Sequence, residues 1–402
     1  MTPARETSQL PTSQLPDRTW DVIIVGAGPA GSICARTLAQ AGRAVLLLDK
    51  EPFPRHKSCG DMLIPDAVTL LRRLGLLERI QQDAVAIPTI RVFSPSRCSF
   101  NVPGDFLALR RYDLDYKLAQ TAVSVGATLA HGYVTAVEQN SGDVVVNTDN
   151  RALRARIVVL ATGAAVELAQ RAGLVAESQP YAVAMRFYVK SEYALADAIL
   201  SYDRPLLPGY AWIIPVGHRL FNVGCGVRLT PGESQPHGLK RHLNEFLSDF
   251  PEGRKLMAQG EPVTKIAGAA LRCGLSGNRA LCHGRVLAVG ETIGTTFPFT
   301  GEGIGKAMHS GLIAAEVIHQ ALDTGAPSLD QYPIRIAREI QPYYYGYSVA
   351  ERWLGRAWLN DFVSRRVTRS RYLQEQLRDF VAETGDPRKL FSLRSVLKSF
   401  FM

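Results

Sequence analysis

Apolar and polar positions alternate along this chain with two periods, and the period changes mark its organisation. Asp21-Val-Ile-Ile-Val25 is an apolar run that reads as a buried strand. Pro29–Gly42 follows, with Ile33, Leu38 and Ala41 at helical spacing, and then a second buried run, Ala44–Leu48. Strand, helix and strand in that order predict a βαβ unit. Further on, the pattern predicts a helix over 113–126, a strand near 156–161, another near 285–290, and a long helix over 301–322. Three segments between them alternate with period two and are rich in aromatics: 181–190, 210–215 and 220–227. They predict an antiparallel sheet. Nucleotide-binding segments at 20–88, 107–175 and 277–330 therefore flank a β-rich substrate-binding insert made of 89–106 and 176–276. Residues 331–402 read as helical. Residues 1–19 are polar, carry a tandem TSQLP repeat from Thr7 to Pro16 and lack apolar periodicity, which predicts a disordered tail.

Composition adds little to this picture except by exclusion. The chain has 402 residues and a formal charge of +9. Such an excess suits an acidic ligand, a membrane surface or simply a basic enzyme, and no base-reading motif or zinc knuckle points to nucleic acid. The six cysteines are scattered singly, so neither a metal site nor a disulfide framework is expected. No signal-peptide pattern and no apolar run of bilayer length is seen, and a cytoplasmic protein is expected. At the C-terminus, Arg388, Lys389, Arg394 and Lys398 alternate with Leu390, Phe391, Leu393, Val396, Leu397, Phe400 and Phe401. Such a stretch either packs on its own domain or lies in a membrane interface, making peripheral contact.

Gly26-Ala-Gly28-Pro-Ala30-Gly31 sits between the first strand and its helix. The first glycine allows the tight turn, the second the approach of a pyrophosphate, and the third close packing of helix on strand. The helix N-terminus offers free N–H groups to phosphate. Asp49 closes the second strand, where a carboxylate can accept from ribose hydroxyls. The fingerprint alone does not separate FAD from NAD.

A second segment does. Gly284–Gly311 runs strand, Gly290-Glu291, a loop with Pro298, then Gly301, Gly303 and Ile304 opening a helix. This resembles the second FAD fingerprint of the p-hydroxybenzoate hydroxylase superfamily, with Glu291 where the family usually has aspartate. The resemblance implies that Glu291 holds a ribityl hydroxyl and that the helix N-terminus faces the flavin. It also implies flavin-side or adenine-side contacts for Lys50, Arg55, Arg111 (opening Arg-x-x-x-Asp115), Val134, Thr162 and Gly163. Thr162 replaces an aspartate that hydroxylases use near FAD and NADPH, so the external electron donor, NAD(P)H or a ferredoxin-like protein, stays open.

Three motifs narrow the resemblance to the geranylgeranyl reductase family. Phe53-Pro-Arg-His-Lys-Ser-Cys59-Gly60 resembles its FPRxKxCG signature. Tyr210-Ala-Trp212-Ile-Ile214-Pro215 with Gly224-Cys-Gly226 resembles YxWxFP…GxG, and Pro298–Gly305 matches PxxGEGI. The resemblance covers about residues 20–320 and implies an α/β fold: a discontinuous Rossmann-type FAD-binding domain of glutathione reductase type, an inserted antiparallel substrate sheet and C-terminal helices. It further implies reduction of C=C bonds in an isoprenoid lipid or prenylated quinone. Cys59, Tyr210 and Trp212 are the expected catalytic residues, with Cys59 and Gly60 also near the cofactor. Read without the family, Cys59 is equally a small buried hydrophobe, and the two aromatics equally a sheet-core pair. Ile214 departs toward the WxIP of flavin halogenases, so a halogenase or aromatic monooxygenase is the alternative. His309, on the long helix, reads as structural.

Overall fold

In the computed structural model, which describes residues 9–176, 179–230, 238–324, 328–385 and 398, two nine-stranded sheets are each built from distant parts of the chain. The first holds the nucleotide fold. Its parallel core runs Thr128–His131, Val45–Asp49, Thr19–Val25, Ala152–Leu160, Val286–Ala288. Every residue from Val22 to Val25 and from Val45 to Leu48 is buried, as a strand covered on both faces requires. The helices Pro29–Gln40 and Ile304–Asp323 pack against each other. The expected helix over 301–322 starts at Ile304, because Phe299 and Gly301 take left-handed backbone and keep the preceding loop out of it.

The second sheet carries the insert, in the order Gly260–Pro262, Ala182–Ser191, Leu220–Arg228, Gly209–Pro215, Ala198–Ser201, Val85–Phe93, Ser99–Ala108, Met62–Leu63. It is antiparallel except where Ala198–Ser201 joins Val85–Phe93 in parallel. The insert thus begins before residue 89, and Met62–Leu63 joins it from inside the segment assigned to the nucleotide fold. Among the described residues, four helices follow residue 330: Gln331–Glu339, Gln341–Leu354, Ala357–Val367 and Arg371–Val381. The basic-apolar terminal stretch lies outside the described residues apart from Lys398.

The disordered tail expected over 1–19 needs correction for the part the structure describes. Leu10–Pro11 pairs in parallel with Ala130–His131 at the edge of the first sheet. Thr12 and Leu15 are buried, and Asn150 and Arg151 donate to Thr12 Oγ1 and the Leu15 carbonyl. The polar repeat hid this, since an edge strand needs only backbone pairing and one or two buried side chains to be held.

Candidate functional site

One cavity of about 1230 Å³ lies between the two sheets and reaches from the glycine turn to the aromatic strands of the insert. Gly26, Gly28, Ala30, Asp49, Lys50, Arg55, Cys59, Gly60, Arg111, Val134, Thr162, Gly163, Gly290, Glu291, Gly301, Gly303, Ile304, Tyr210 and Trp212 all line it. Gly31 and Pro298 stand behind the wall. A Cβ at Gly31 would lie 1.9 Å from the Gly26 carbonyl oxygen, so Gly31 serves close packing. Gly26 itself has φ +108° and would clash with the Ala161 carbonyl if it carried a side chain.

At the glycine turn the open side is cationic. A Cβ at Gly28 would meet only the Arg55 and Arg111 guanidinium nitrogens, at 3.8 and 3.9 Å. Two carboxylates hold these arginines. Arg111 is bidentate to Asp115 (2.6 and 2.8 Å), and Arg55 bridges Asp115 (3.1 Å) and Asp49 (3.2 Å). Burial opposes the charge on Arg111, but Asp115 more than offsets this and leaves its pKa above the usual arginine value. Asp49 also accepts from the Ala27 N–H (2.8 Å) and the Glu51 N–H (3.1 Å). Its carboxylate therefore pins the turn as well as facing the cavity.

The segment from Phe53 to Asp61 crosses the middle of the cavity. Asp61 anchors its end in left-handed backbone, fully buried. Its carboxylate accepts from the Arg111 N–H (3.0 Å), the Tyr188 hydroxyl (2.6 Å) and Asn222 Nδ2 (2.7 Å). Asn222 Nδ2 also donates to the Cys59 carbonyl (2.7 Å), and Asn222 Oδ1 accepts from Trp212 Nε1 (2.9 Å). One asparagine thus locks Cys59 and Trp212 to the same support. Burial raises the Cys59 thiol pKa, partly offset by Arg111.

Tyr210 and Trp212 line the cavity together, with ring centroids 5.9 Å apart. Across the sheet, Tyr210 pairs with Gly226 and Trp212 with Gly224. A Cβ at Gly224 would lie 2.4 Å from the Trp212 ring, so the glycines of the GxG element make room for the aromatics of YxW. Phe299 extends the wall, and Tyr202 backs it from outside the lining, stacked on Phe299 at 5.2 Å and 5.6 Å from the Tyr210 ring. Tyr210 donates its hydroxyl to the Thr300 carbonyl and ties this wall to the Pro298–Gly305 loop.

Beside that loop, the Ile304–Asp323 helix points its N-terminus into the cavity. Burial raises the Glu291 pKa, opposed chiefly by Lys57. Burial also pushes Glu302 up to about 7. His309 is turned the other way, its pKa lowered by burial to about 4, and it lies 3.8 Å from Glu339. No three His, Cys, Asp or Glu side chains are grouped to hold a metal ion among the described residues.

Sequence reasoning missed Tyr188, Asn222, Glu302 and Glu351, and left the role of Asp61 unread. Tyr188 and Asn222 sit opposite each other in register, a relation that single-strand patterning does not reveal. Asp61 follows the Cys-Gly pair directly, and its place in that motif was the available signal.

Residues 19–187 match the FAD binding domain family model. The digeranylgeranylglycerophospholipid reductase 2 of Methanopyrus kandleri is 32% identical, over 80% of this chain and 83% of its own length. The menaquinone reductase of Mycolicibacterium smegmatis is 30% identical over 83% of each. This chain belongs to the geranylgeranyl reductase family of FAD-dependent oxidoreductases. The conditioned medium factor receptor 1 of Dictyostelium discoideum is also 30% identical, over 78% of this chain, which spans 66% of that protein's length. Two solved structures share the fold: a geranylgeranyl bacteriochlorophyll reductase-like protein from Thermoplasma acidophilum (21% identity, TM-score 0.77, 96% of each chain) and the flavin-dependent brominase Bmp2 (19%, 0.78, 96% of this chain and 99% of that one). The family member described here is an FAD-dependent oxidoreductase. Its cavity suits the cofactor, because a cationic turn, a buried carboxylate and a helix N-terminus line one continuous space. Among the described residues no helix is long and apolar enough to cross a membrane.

Proposed function

We propose that this protein saturates C=C bonds of an isoprenoid lipid or prenylated quinone. The observation that carries the reading is the continuity of the cavity. An aromatic arm built on Tyr210, Trp212 and Phe299 opens into the same space as the glycine turn and the Glu291–Ile304 loop. Relatives named as reductases of digeranylgeranylglycerophospholipid and of menaquinone support the substrate class.

Asp49, Lys50 and Val134 would take the adenosine end. The backbone of Gly26, Gly28 and Ala30, with Arg55 and Arg111, would take the pyrophosphate. Glu291 would accept from the ribityl chain. Gly163, Thr162, Gly290 and the Gly301–Ile304 backbone would flank the ring with Cys59 and Gly60. Reduced flavin, when bound, supplies the hydride equivalent for one carbon of the alkene. The other carbon needs a proton. Burial keeps the Cys59 thiol protonated, and Arg111 stands beside it to stabilise the thiolate left after transfer. Solvent then returns the proton to sulfur. Tyr210 and Trp212 hold the double bond in place, where misplacement by about 1 Å costs roughly a hundredfold in rate.

The test is anaerobic single-turnover oxidation of the reduced enzyme by geranylgeraniol and by a prenylated quinone, with wild type, Cys59→Ala, Tyr210→Ala and Trp212→Ala. Oxidation by a prenyl lipid in the wild type, lost in the variants with FAD retained, supports the reading. Turnover only with air plus halide or phenol would give the cavity to a halogenase or monooxygenase.

A further inference from the structure

A half-buried charge pair, Arg228 and Glu351, lines the cavity, and neither the flavin nor the alkene has a use for it. Glu351, on the helix Gln341–Leu354, lines the cavity and is only 6% exposed. Its Oε2 accepts both from the Tyr181 hydroxyl (2.5 Å) and from Arg228 Nη1 (3.1 Å). Its Oε1 is buried and has no hydrogen-bond partner among the described residues. An ionised carboxylate oxygen left bare in this way costs free energy unless a donor arrives. Arg228 also lines the cavity, yet its side chain is 40% exposed. The pair therefore stands at the solvent edge, with the apolar arm behind it.

We propose that Tyr181, Arg228 and Glu351 form a head-group subsite selecting a neutral isoprenoid that carries a hydroxyl. The inference rests on the isoprenoid reading above and specifies its substrate. A hydroxyl has both functions the site lacks partners for: its O–H donates to Glu351 Oε1, and its oxygen accepts from the free edge of the Arg228 guanidinium. A phosphate or diphosphate is mostly fully ionised at neutral pH, since its last pKa is about 6, and so is a poor donor to a carboxylate. It would also meet the Glu351 carboxylate, which already neutralises Arg228, and like charges at this range repel. The head then rests at the mouth, and the tail runs inward past Pro208 and Gly209 toward Tyr210, which line the same cavity.

The FAD-loaded oxidised enzyme, titrated with three probes sharing one tail, tests this through quenching of intrinsic tryptophan fluorescence. The probes are geranylgeraniol, its methyl ether and geranylgeranyl diphosphate. Wild type is expected to bind the alcohol about tenfold more tightly than either other probe, the worth of one charge-assisted hydrogen bond. Glu351→Gln is expected to move the probes in opposite directions, weakening the alcohol and tightening the diphosphate as Arg228 is released. A misfolded variant weakens all three alike. In that case Tyr181→Phe, which keeps the carboxylate, decides, and it should keep the preference for the alcohol. Under anaerobic conditions a geranylgeranylated naphthohydroquinone, added to enzyme with reduced flavin, distinguishes a phenolic from an alkyl hydroxyl. Wild-type preference for the diphosphate, or an unchanged ratio in Glu351→Gln, overturns the subsite. Intact preference with no reduction of any isoprenoid would overturn the proposed reaction instead.

Discussion

Three donors converge on the Asp61 carboxylate, and all three belong to elements that carry the cavity: the helix Arg111–Val123 and the strands bearing Tyr188 and Asn222. An amide in its place would set an N–H against a donor. Asp61→Asn is therefore expected to lower stability by about 3 kcal/mol and to loosen the Cys59 loop, seen as a lower urea midpoint and faster alkylation of Cys59. Glu302 gives a prediction in pH. Its folded pKa, about 7, lies above the ordinary 4.5 because burial disfavours the charged form. The native state then holds more protons than the unfolded chain between those values, and stability falls as pH rises through that window. Glu302→Gln removes the linkage. Its melting temperature should gain on wild type from pH 4.5 to 7 and hold that gain above, an effect of up to about 3 kcal/mol. A constant difference across the range would place the Glu302 carboxyl in a solvated setting.

Among elements, the paired strands Gly209–Pro215 and Leu220–Arg228 show how a signature spread over two segments is one packing unit. A Cβ at Gly224 would lie 2.4 Å from both the Trp212 ring and the Met185 carbonyl, whereas one at Gly226 meets Ala184 Cβ at 3.2 Å. Gly224→Ala should cost about 3 kcal/mol or more and shift tryptophan emission, and Gly226→Ala well under half of that. Equal losses on thermal melting would mean that the ring does not fix the spacing. The βαβ start, the long helix after the Pro298 loop and the alternating strands were legible because each is set by local periodicity. The glycine turn, Asp49 and the aromatic pair were legible for the same reason: their spacing is short. Tyr188, Asn222 and Glu351 were not. Each acts through a partner more than 100 residues away, and register between strands leaves no trace in either strand alone.

Across the whole molecule, Lys306 joins three regions. It is 3% exposed, lies 2.5 Å from Glu383 and 3.6 Å from Asp66, and packs over the Tyr343 ring. The long helix is thereby tied to the helix Pro65–Arg73 and to the chain beyond Arg371–Val381. Lys306→Met leaves two largely covered carboxylates without their cation and should cost about 3 kcal/mol, with the C-terminal helices becoming sensitive to limited proteolysis. The cofactor should act on the same global equilibrium. Stripping FAD from the protein and restoring it at a hundredfold excess over Kd should recover about 2.7 kcal/mol, read as a rise in melting temperature. No shift would mean that the cavity is not coupled to folding.

The short strand at Leu10–Pro11 has a consequence for how the molecule meets its neighbours. It covers the otherwise open flank of Thr128–His131, and Pro11 has no amide hydrogen to offer a further strand. Gln9 reaches from it to the Phe53 N–H (2.8 Å) and the Glu51 carbonyl (3.3 Å), at the start of the cysteine loop. Trimming the chain to residue 18 would bare a row of unpaired backbone groups and free that loop together. The trimmed protein should scatter light as it self-associates edge to edge, and an affinity tag is better placed away from this terminus.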